Sequence, residues 1–135
     1  MNFKQTLGTA VYNTMANSSA LTTLLGGTAI YKNIAPDNVS GDYVVWNFQS
    51  AVDQSLTPSR MWNTIINIRA FTTTETNGGS ADALIDGLFN GQALSVGGWS
   101  NFWTSRELYF DDVLVEPNKQ KTVVTGGFYR IRMGQ

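Results

Sequence analysis

The sequence predicts a single α+β domain over residues 1–135. It is a mainly antiparallel β-sheet with helices packed on one face, in the order α-α-β-β-β-α-β-β. Two observations support this prediction. Apolar residues recur at helical spacing near the N-terminus and around residues 81–88, and they alternate with polar residues in most other segments. Short turns separate the strands within each group, which favours antiparallel pairing and an α+β arrangement.

Two helices are predicted first. An amphipathic helix over residues 2–16 places these apolar side chains on one stripe: Phe3, Leu7, Ala10, Val11 and Met15. A short second helix follows, with Ser18 or Ser19 as its N-cap. Its apolar face consists of Leu21, Leu24 and Leu25. Gly26 ends this helix, because glycine readily adopts the left-handed conformation of a C-cap.

The apolar period then changes from 3.6 to 2, which predicts three strands. The first is centred on Ile30 and ends at Ile34, before a turn at residues 36–38. The second covers residues 43–48, with Val44, Trp46 and Phe48 on its buried face. Residues 50–60 are predicted to form a long loop. The third strand covers residues 61–74, with Ile66, Ile68 and Ala70 on one face.

A third helix and a final group of strands complete the prediction. Residues 77–80, with the sequence NGGS, are expected to break the third strand and cap the helix, which ends at Gly91. Its apolar stripe consists of Ala81, Leu84, Ile85 and Leu88. A short strand within 92–98, a long strand over 99–115, a turn at 116–119 and a last strand over 121–133 follow. Gly126 and Gly127 predict a bulge or sharp bend in the last strand.

The residue composition excludes several kinds of chemistry. The chain has no cysteine and no histidine, so it lacks disulfides, thiolate metal sites and the commonest general base. Its net charge is −1, which argues against a dedicated nucleic-acid binder, because such proteins neutralise phosphates. Charged residues make up 14% of the chain, against about 25% in typical domains. This fits either a surface covered by other subunits or an ordinary β-rich protein.

Acidic residues raise one alternative, a metal-dependent nuclease. Its candidate carboxylates and cations are Asp111, Asp112, Glu116, Lys119 and Lys121. Adjacent strand residues point to opposite faces, so Asp111 and Asp112 do not easily share an ion. A solvated hairpin end is therefore favoured. Asp82 and Asp86 lie four residues apart on the third helix. Asp82 is expected near the positive end of the helix dipole, and both on a solvent-facing side.

Arginines and tryptophans are the other candidates for contacts. Arg130 and Arg132 alternate with apolar residues, which indicates a cationic face on the last strand. That face either contacts DNA or an acidic neighbour, or pairs across the sheet with Glu107 or Asp111; cross-strand pairing is favoured. Trp46 is expected in the core. For Trp99 and Trp103, which flank polar residues, core packing and a subunit contact are equally supported.

The order of these elements resembles the tail-completion, or tail-terminator, proteins of long-tailed bacteriophages, which join head and tail. The resemblance spans nearly the whole chain and rests on the N-terminal helix and on these segments: LTTLLGG at 21–27, IYKNIAP at 30–36, YVVW at 43–46, INIRAF at 66–71, SADALIDGL at 80–88 and FYRIR at 128–132. Gly41 and Asp42 stand where the family pattern leads us to expect a proline.

This resemblance implies a structural protein without catalytic residues or cofactors. It implies a ring, usually a hexamer, that stops growth of the tail tube at its head-proximal end and docks to the head connector. The expected partners are further copies of this chain, the tail tube protein and the connector or stopper protein, with DNA only passing through the lumen. The expected location is the host cytoplasm during assembly and then the virion tail.

The contact residues expected from this function lie in the loops at 50–60 and 114–121 and on outward strand faces. They are Asp53, Arg60, Trp99, Trp103, Glu116, Lys119, Lys121, Arg130 and Arg132. A different connector subunit or a tail-tube subunit remains an alternative within the same class. No signal-peptide core and no apolar run of ~20 residues is found, so no membrane partner is expected.

Overall fold

The computed structural model describes residues 3–37, 39, 41–53, 60–115 and 121–134. Within this part of the chain the helices and strands occur in the predicted order. They are α1 Phe3–Ala16, α2 Ser19–Leu25, β1 Ile30–Lys32, β2 Tyr43–Asp53, β3 Met61–Thr72, α3 Glu75–Phe89, β4 Ser100–Val115 and β5 Lys121–Gly134. The α+β fold class and the element order are therefore confirmed.

The strands form one sheet in the order β1-β2-β3-β5-β4, so β1 and β4 are its two edges. The pairs β2–β3, β3–β5 and β4–β5 are antiparallel. The short strand β1 is the exception, because it runs parallel to β2. The last strand in the chain, β5, is inserted between β3 and β4, which places β4 at the edge.

The core lies between one face of the sheet and the helices. Its largest fully buried side chains are Trp46, Tyr129, Phe89, Leu7, Met15, Leu21, Ile66, Ile68, Ile85, Ile131, Met133 and Val11. Burial of an apolar side chain of this size contributes about 1.5–3 kcal/mol, so this layer holds the helices to the sheet. The prediction that Trp46 lies in the core is confirmed. None of the described helices is both long and apolar enough to cross a membrane.

The first two strands differ from their predicted limits. Ile34 does not end β1, which stops at Lys32, and the Ile34 side chain is 77% exposed. The backbone of Asn33 adopts φ 69°, a left-handed conformation that turns the chain out of the strand. Strand β2 is longer than predicted, because residues 50–53, expected in a loop, pair with β3 after a bulge between Phe48 and Ser50.

Helix α3 begins earlier than predicted. The side-chain oxygen of Thr74 accepts a hydrogen bond from the Asn77 backbone N–H, so Thr74 is the N-cap and β3 ends at Thr72. Residues 77–80 therefore lie inside the helix and do not cap it. Gly78 fits there because a Cβ at this position would lie 3.0 Å from the Val123 side chain. Glu75, not Asp82, occupies the first turn.

Gly126 and Gly127 do not form a bulge. Both remain in register between β3 and β4, and the irregularities of β4 lie between Asn101 and Trp103 and between Arg106 and Leu108. The glycines allow close approach of the flanking strands, because a Cβ on Gly126 would collide with the Ile68 carbonyl oxygen. The predicted short strand within 92–98 is reduced to an isolated bridge between Val96 and Trp99.

Candidate assembly surface

Strand β4 is anchored to helix α3 by a buried arginine. The Arg106 side chain is only 1% exposed, and its Nη2 donates to Asp82 Oδ1 at 2.8 Å. Its Nη1 donates to Asp82 Oδ2 at 3.2 Å and to Asp86 Oδ1 at 3.3 Å. The guanidinium also donates to the Gly126 carbonyl, so one side chain connects α3, β4 and β5. The expectation that Asp82 and Asp86 form a solvent-facing side is wrong.

The surroundings of Arg106 keep it charged. Burial acts to lower the pKa of Arg106, but its hydrogen bonds to Asp82 and Asp86 and the nearby charges outweigh burial and raise that pKa. The Tyr109 ring centroid lies 3.7 Å from Arg106 Cζ, a cation–π contact. Burial has the opposite effect on the Tyr129 phenol, which lies beside the guanidinium, and raises its pKa. The cluster therefore has a structural role: it holds β4 in position and does not activate a side chain for chemistry.

The bulge after Arg106 determines which residues β4 presents to solvent. Arg106 pairs with Tyr129 and Leu108 pairs with Phe128, so Glu107 is the extra residue. Glu107 forms an ion pair with Arg130, in which Nη2 donates to Oε2 at 3.0 Å. Arg130 Nη1 also donates to Asn63 Oδ1 at 2.8 Å. The predicted cross-strand pairing of Arg130 with Glu107 is confirmed.

Three of the predicted contact residues are aromatic or lie on an aromatic ring. Trp103 is 42% exposed, and Arg132 Cζ lies 5.2 Å from a Trp103 ring centroid. Trp99 is half-buried and meets Phe3 edge-on, with ring centroids 5.5 Å apart. Trp99 thus packs on the core, whereas Trp103 and Arg132 together form a half-exposed cation–aromatic pair.

The predicted contact residues do not form one site. Asp53 pairs with Trp62 and exposed Arg60 precedes β3, so both lie at the end of the sheet that also holds Trp103 and Arg132. Exposed Lys121 pairs with Val115 at the opposite end. Glu116 and Lys119 lie outside the described residues.

The exposed large apolar side chains of the described residues concentrate at the two edges of the sheet. Six lie on β4: Trp103, Leu108, Tyr109, Val113, Leu114 and Val115. Three lie on or beside β1 and β2 at the other edge: Tyr12, Ile34 and Val52. Contiguous exposed apolar residues mark interaction surfaces, and an open sheet edge is a template for another chain.

The first half of the β4 edge is already covered. The Gly91 N–H donates to the Thr104 carbonyl at 2.7 Å, and the Arg106 N–H donates to Asn90 Oδ1 at 3.2 Å. Beyond Arg106, no described strand pairs with the outer side of β4. We call residues 108–115 the open edge. The open edge was not among the contact sites expected from the sequence, although its apolar residues on both faces of the strand could have indicated it.

The acidic pair on this edge does not build a metal centre. Asp111 pairs with Thr125 and Asp112 with Val124, so the two side chains point to opposite faces. Among the residues that the structure describes, no group of three acidic side chains is arranged to hold a metal ion. Asp111 and Asp112 therefore do not converge on one ion.

Known proteins resemble this chain in sequence and in fold. A family model described as "Tail completion protein gp17" matches residues 9–107. No curated protein matches the sequence. A solved structure described as "Virion of native gene transfer agent (GTA) particle" has a TM-score of 0.77 and 19% identity, covering 97% of this chain and 96% of its own. A second solved structure has a TM-score of 0.61 and 11% identity, covering 95% and 94%.

Proposed function

Because the chain belongs to the tail completion protein family, a family of phage tail structural proteins, we propose that it forms a ring that caps the head-proximal end of the tail tube. The ring ends growth of the tube and provides the surface to which the head connector docks. Its expected membership is six copies, as the resemblance implies. Assembly takes place in the host cytoplasm, and the finished ring belongs to the virion tail.

The placement of exposed apolar side chains at opposite sheet edges is the observation that carries this proposal. Two different patches on opposite sides of a subunit favour a head-to-tail contact, in which each copy uses one patch on each neighbour. Head-to-tail contacts close into a ring when the rotation between neighbours is a whole fraction of a turn. A single self-complementary patch would instead favour a two-fold dimer.

The two ends of the sheet then take different partners. The two ends differ in their exposed side chains. One end carries Asp53, Arg60, Trp103 and Arg132, and the other end carries Lys121. We assign one end to the tail tube protein and the other to the connector or stopper protein, with DNA passing through the lumen. This difference between the two ends supports a function in ending growth of the tail tube. A capping ring must bind the last tube ring on one side and must not bind a further tube ring on its other side.

Electron microscopy of particles made without this protein tests the proposal. We expect over-long tails without heads, and restoration of normal length when the unchanged chain is supplied. Absence of tails would instead identify a tube subunit. Tails of normal length without heads would identify a joining protein. Either result would overturn the terminator function.

A further inference from the structure

A groove between α1 and β1 borders the sheet edge opposite β4. It has a volume of about 600 Å³ and is lined by Lys4, Gly8, Tyr12, Lys32 and Trp46, among others. Gly8 is part of this lining, and a Cβ there would lie 3.4 Å from the Trp46 ring, in van der Waals contact with it. Tyr12 is exposed at its rim. The groove is thus apolar below and cationic at its mouth.

Lys32 is one of two exposed lysines that line this groove, and Lys4 is the other. The Lys32 Nζ lies 5.6 Å from the Trp46 ring centroid and 5.1 Å from that of Phe48, so the ammonium rests on two aromatic faces. Among the described residues no carboxylate forms an ion pair with Lys32. Lys32 is therefore held in place by the aromatic rings, and its ammonium can form an ion pair with a carboxylate of a partner chain.

The open edge carries the complementary chemistry. Asp111 is exposed, and it lies between Tyr109 and Val113 on the same side of β4. It pairs with Thr125, whose hydroxyl donates to the Gly78 carbonyl of α3. Asp111 therefore lies on the helix-covered face of the sheet. Lys32 lies on that same face, because it pairs with core residue Trp46.

The two edges lie at the same level along the strands. One row of paired residues runs from Lys32 through Trp46, Ile68 and Gly127 to Tyr109. The neighbouring row on the same face runs from Ile30 through Val44, Ala70 and Thr125 to Asp111. When the rows of two copies are aligned, Asp111 lies opposite Ile30 and diagonal to Lys32, at the separation of about 7–8 Å that a long side chain can bridge. Two copies can therefore meet edge to edge without sliding along the strands.

Strand directions also match. Strand β1 is parallel to β2, and the three following pairs are antiparallel, so β4 runs opposite to β1 within the sheet. Placing β4 of one copy beside β1 of the next therefore creates an antiparallel pair. Such a pair continues the sheet from one copy into the next by backbone hydrogen bonds.

We propose that β1 and the α1–β1 groove receive the open edge of a second copy, with Asp111 of one chain paired to Lys32 of the next. Tyr109 and Val113 of the first copy cover the rim near Tyr12 of the second. This inference rests on the proposed ring and specifies which surfaces form it. It places the helix layers of neighbouring copies on the same side of a continuous sheet.

Charge exchange tests the contact. Asp111→Lys and Lys32→Asp are each expected to weaken self-association of the full chain about tenfold, because each places like charges together. Combining both substitutions in one chain should restore the association of the unchanged protein. Asp112→Lys is the matched control, since it makes the same charge change on the other face of β4, and it should leave association unchanged. Sedimentation velocity over a concentration series, repeated with purified tails, measures all four.

Zero-length carbodiimide cross-linking supplies a second readout. A mixture of unlabelled and ¹⁵N-labelled chains should yield peptides that join Asp111 of one isotope to Lys32 of the other. Association unaffected by the charge exchange, or cross-links from Asp112 in place of Asp111, would overturn the contact and leave the ring standing. A chain that stays monomeric both alone and on tails would overturn the contact and the ring together.

Discussion

The guanidinium of Arg106 on β4 binds the carboxylate of Asp82 on α3 through two hydrogen bonds, of 2.8 and 3.2 Å. This pair lies immediately before the bulge that leads into the open edge. A buried bidentate pair is strongly directional, because both planar groups must be aligned. The pair therefore sets the orientation of the strand that carries the proposed assembly contacts.

Removing the buried charge should destabilise the fold. Arg106→Met keeps much of the side-chain volume but leaves Asp82 and Asp86 facing each other without a cation. We expect a loss of about 3 kcal/mol in the free energy of unfolding, measured by urea denaturation. Arg132→Met removes an exposed arginine from the same sheet and should cost less than about 1 kcal/mol. Equal losses in both variants would contradict the structural role of Arg106.

Gly126 should tolerate no side chain. A Cβ at this position collides with the Ile68 backbone carbonyl, so Gly126→Ala must force β3 and β5 apart. We expect a loss of at least about 3 kcal/mol in the free energy of unfolding, or failure to fold. Gly79→Ala is the control, because a Cβ at Gly79 meets nothing within 4 Å inside α3. That substitution should raise stability by about 0.5–1 kcal/mol.

Acid should weaken the Glu107–Arg130 pair. The hydrogen bond from Arg130 lowers the pKa of Glu107 below its ordinary value. A lowered folded-state pKa contributes stability above the unfolded-state pKa, and that stability is lost as pH falls through the folded-state pKa. The Glu107 side chain is 37% exposed, so solvent screening limits the contribution to less than about 1 kcal/mol.

The variant Glu107→Gln tests this assignment. At pH 7 it should be slightly less stable than the unchanged chain. At a pH below the folded-state pKa of Glu107 the two proteins should have equal stability, because Glu107 is then uncharged. Urea unfolding at both pH values measures the difference, and a gap that persists in acid would contradict it.

Alkali should act through Tyr129. Burial raises the pKa of its phenol, so the folded state holds this proton more tightly than the unfolded state. The resulting stability is complete below the unfolded-state pKa of about 10 and decreases as pH rises above it. The free energy of unfolding of Tyr129→Phe should fall less steeply in this range. Phenolate absorbance should show one fewer late-ionising tyrosine, and identical pH profiles would contradict the assignment.

Local patterns of apolar residues were sufficient to predict most of the helices and strands. The stripe through Leu7 and Val11 predicted α1, and the alternation through Val44 and Trp46 predicted β2 and its buried face. The ends of helices and strands were predicted less well where a capping hydrogen bond determines them. Thr74 caps α3 by accepting a hydrogen bond from the Asn77 N–H. The helix therefore begins before the NGGS segment, which was predicted to cap it.

By itself, the sequence determined the fold class, the element order, the absence of thiol and imidazole chemistry, and the resemblance to tail-completion proteins. These properties follow from residue types and from periodicities that extend over a few turns or strand residues. The order of strands in the sheet was decided only by the tertiary structure, because pairing between β3 and β5 joins residues far apart in the chain. That order makes β4 an edge, buries Arg106 against Asp82 and brings Lys32 level with Tyr109 across the sheet.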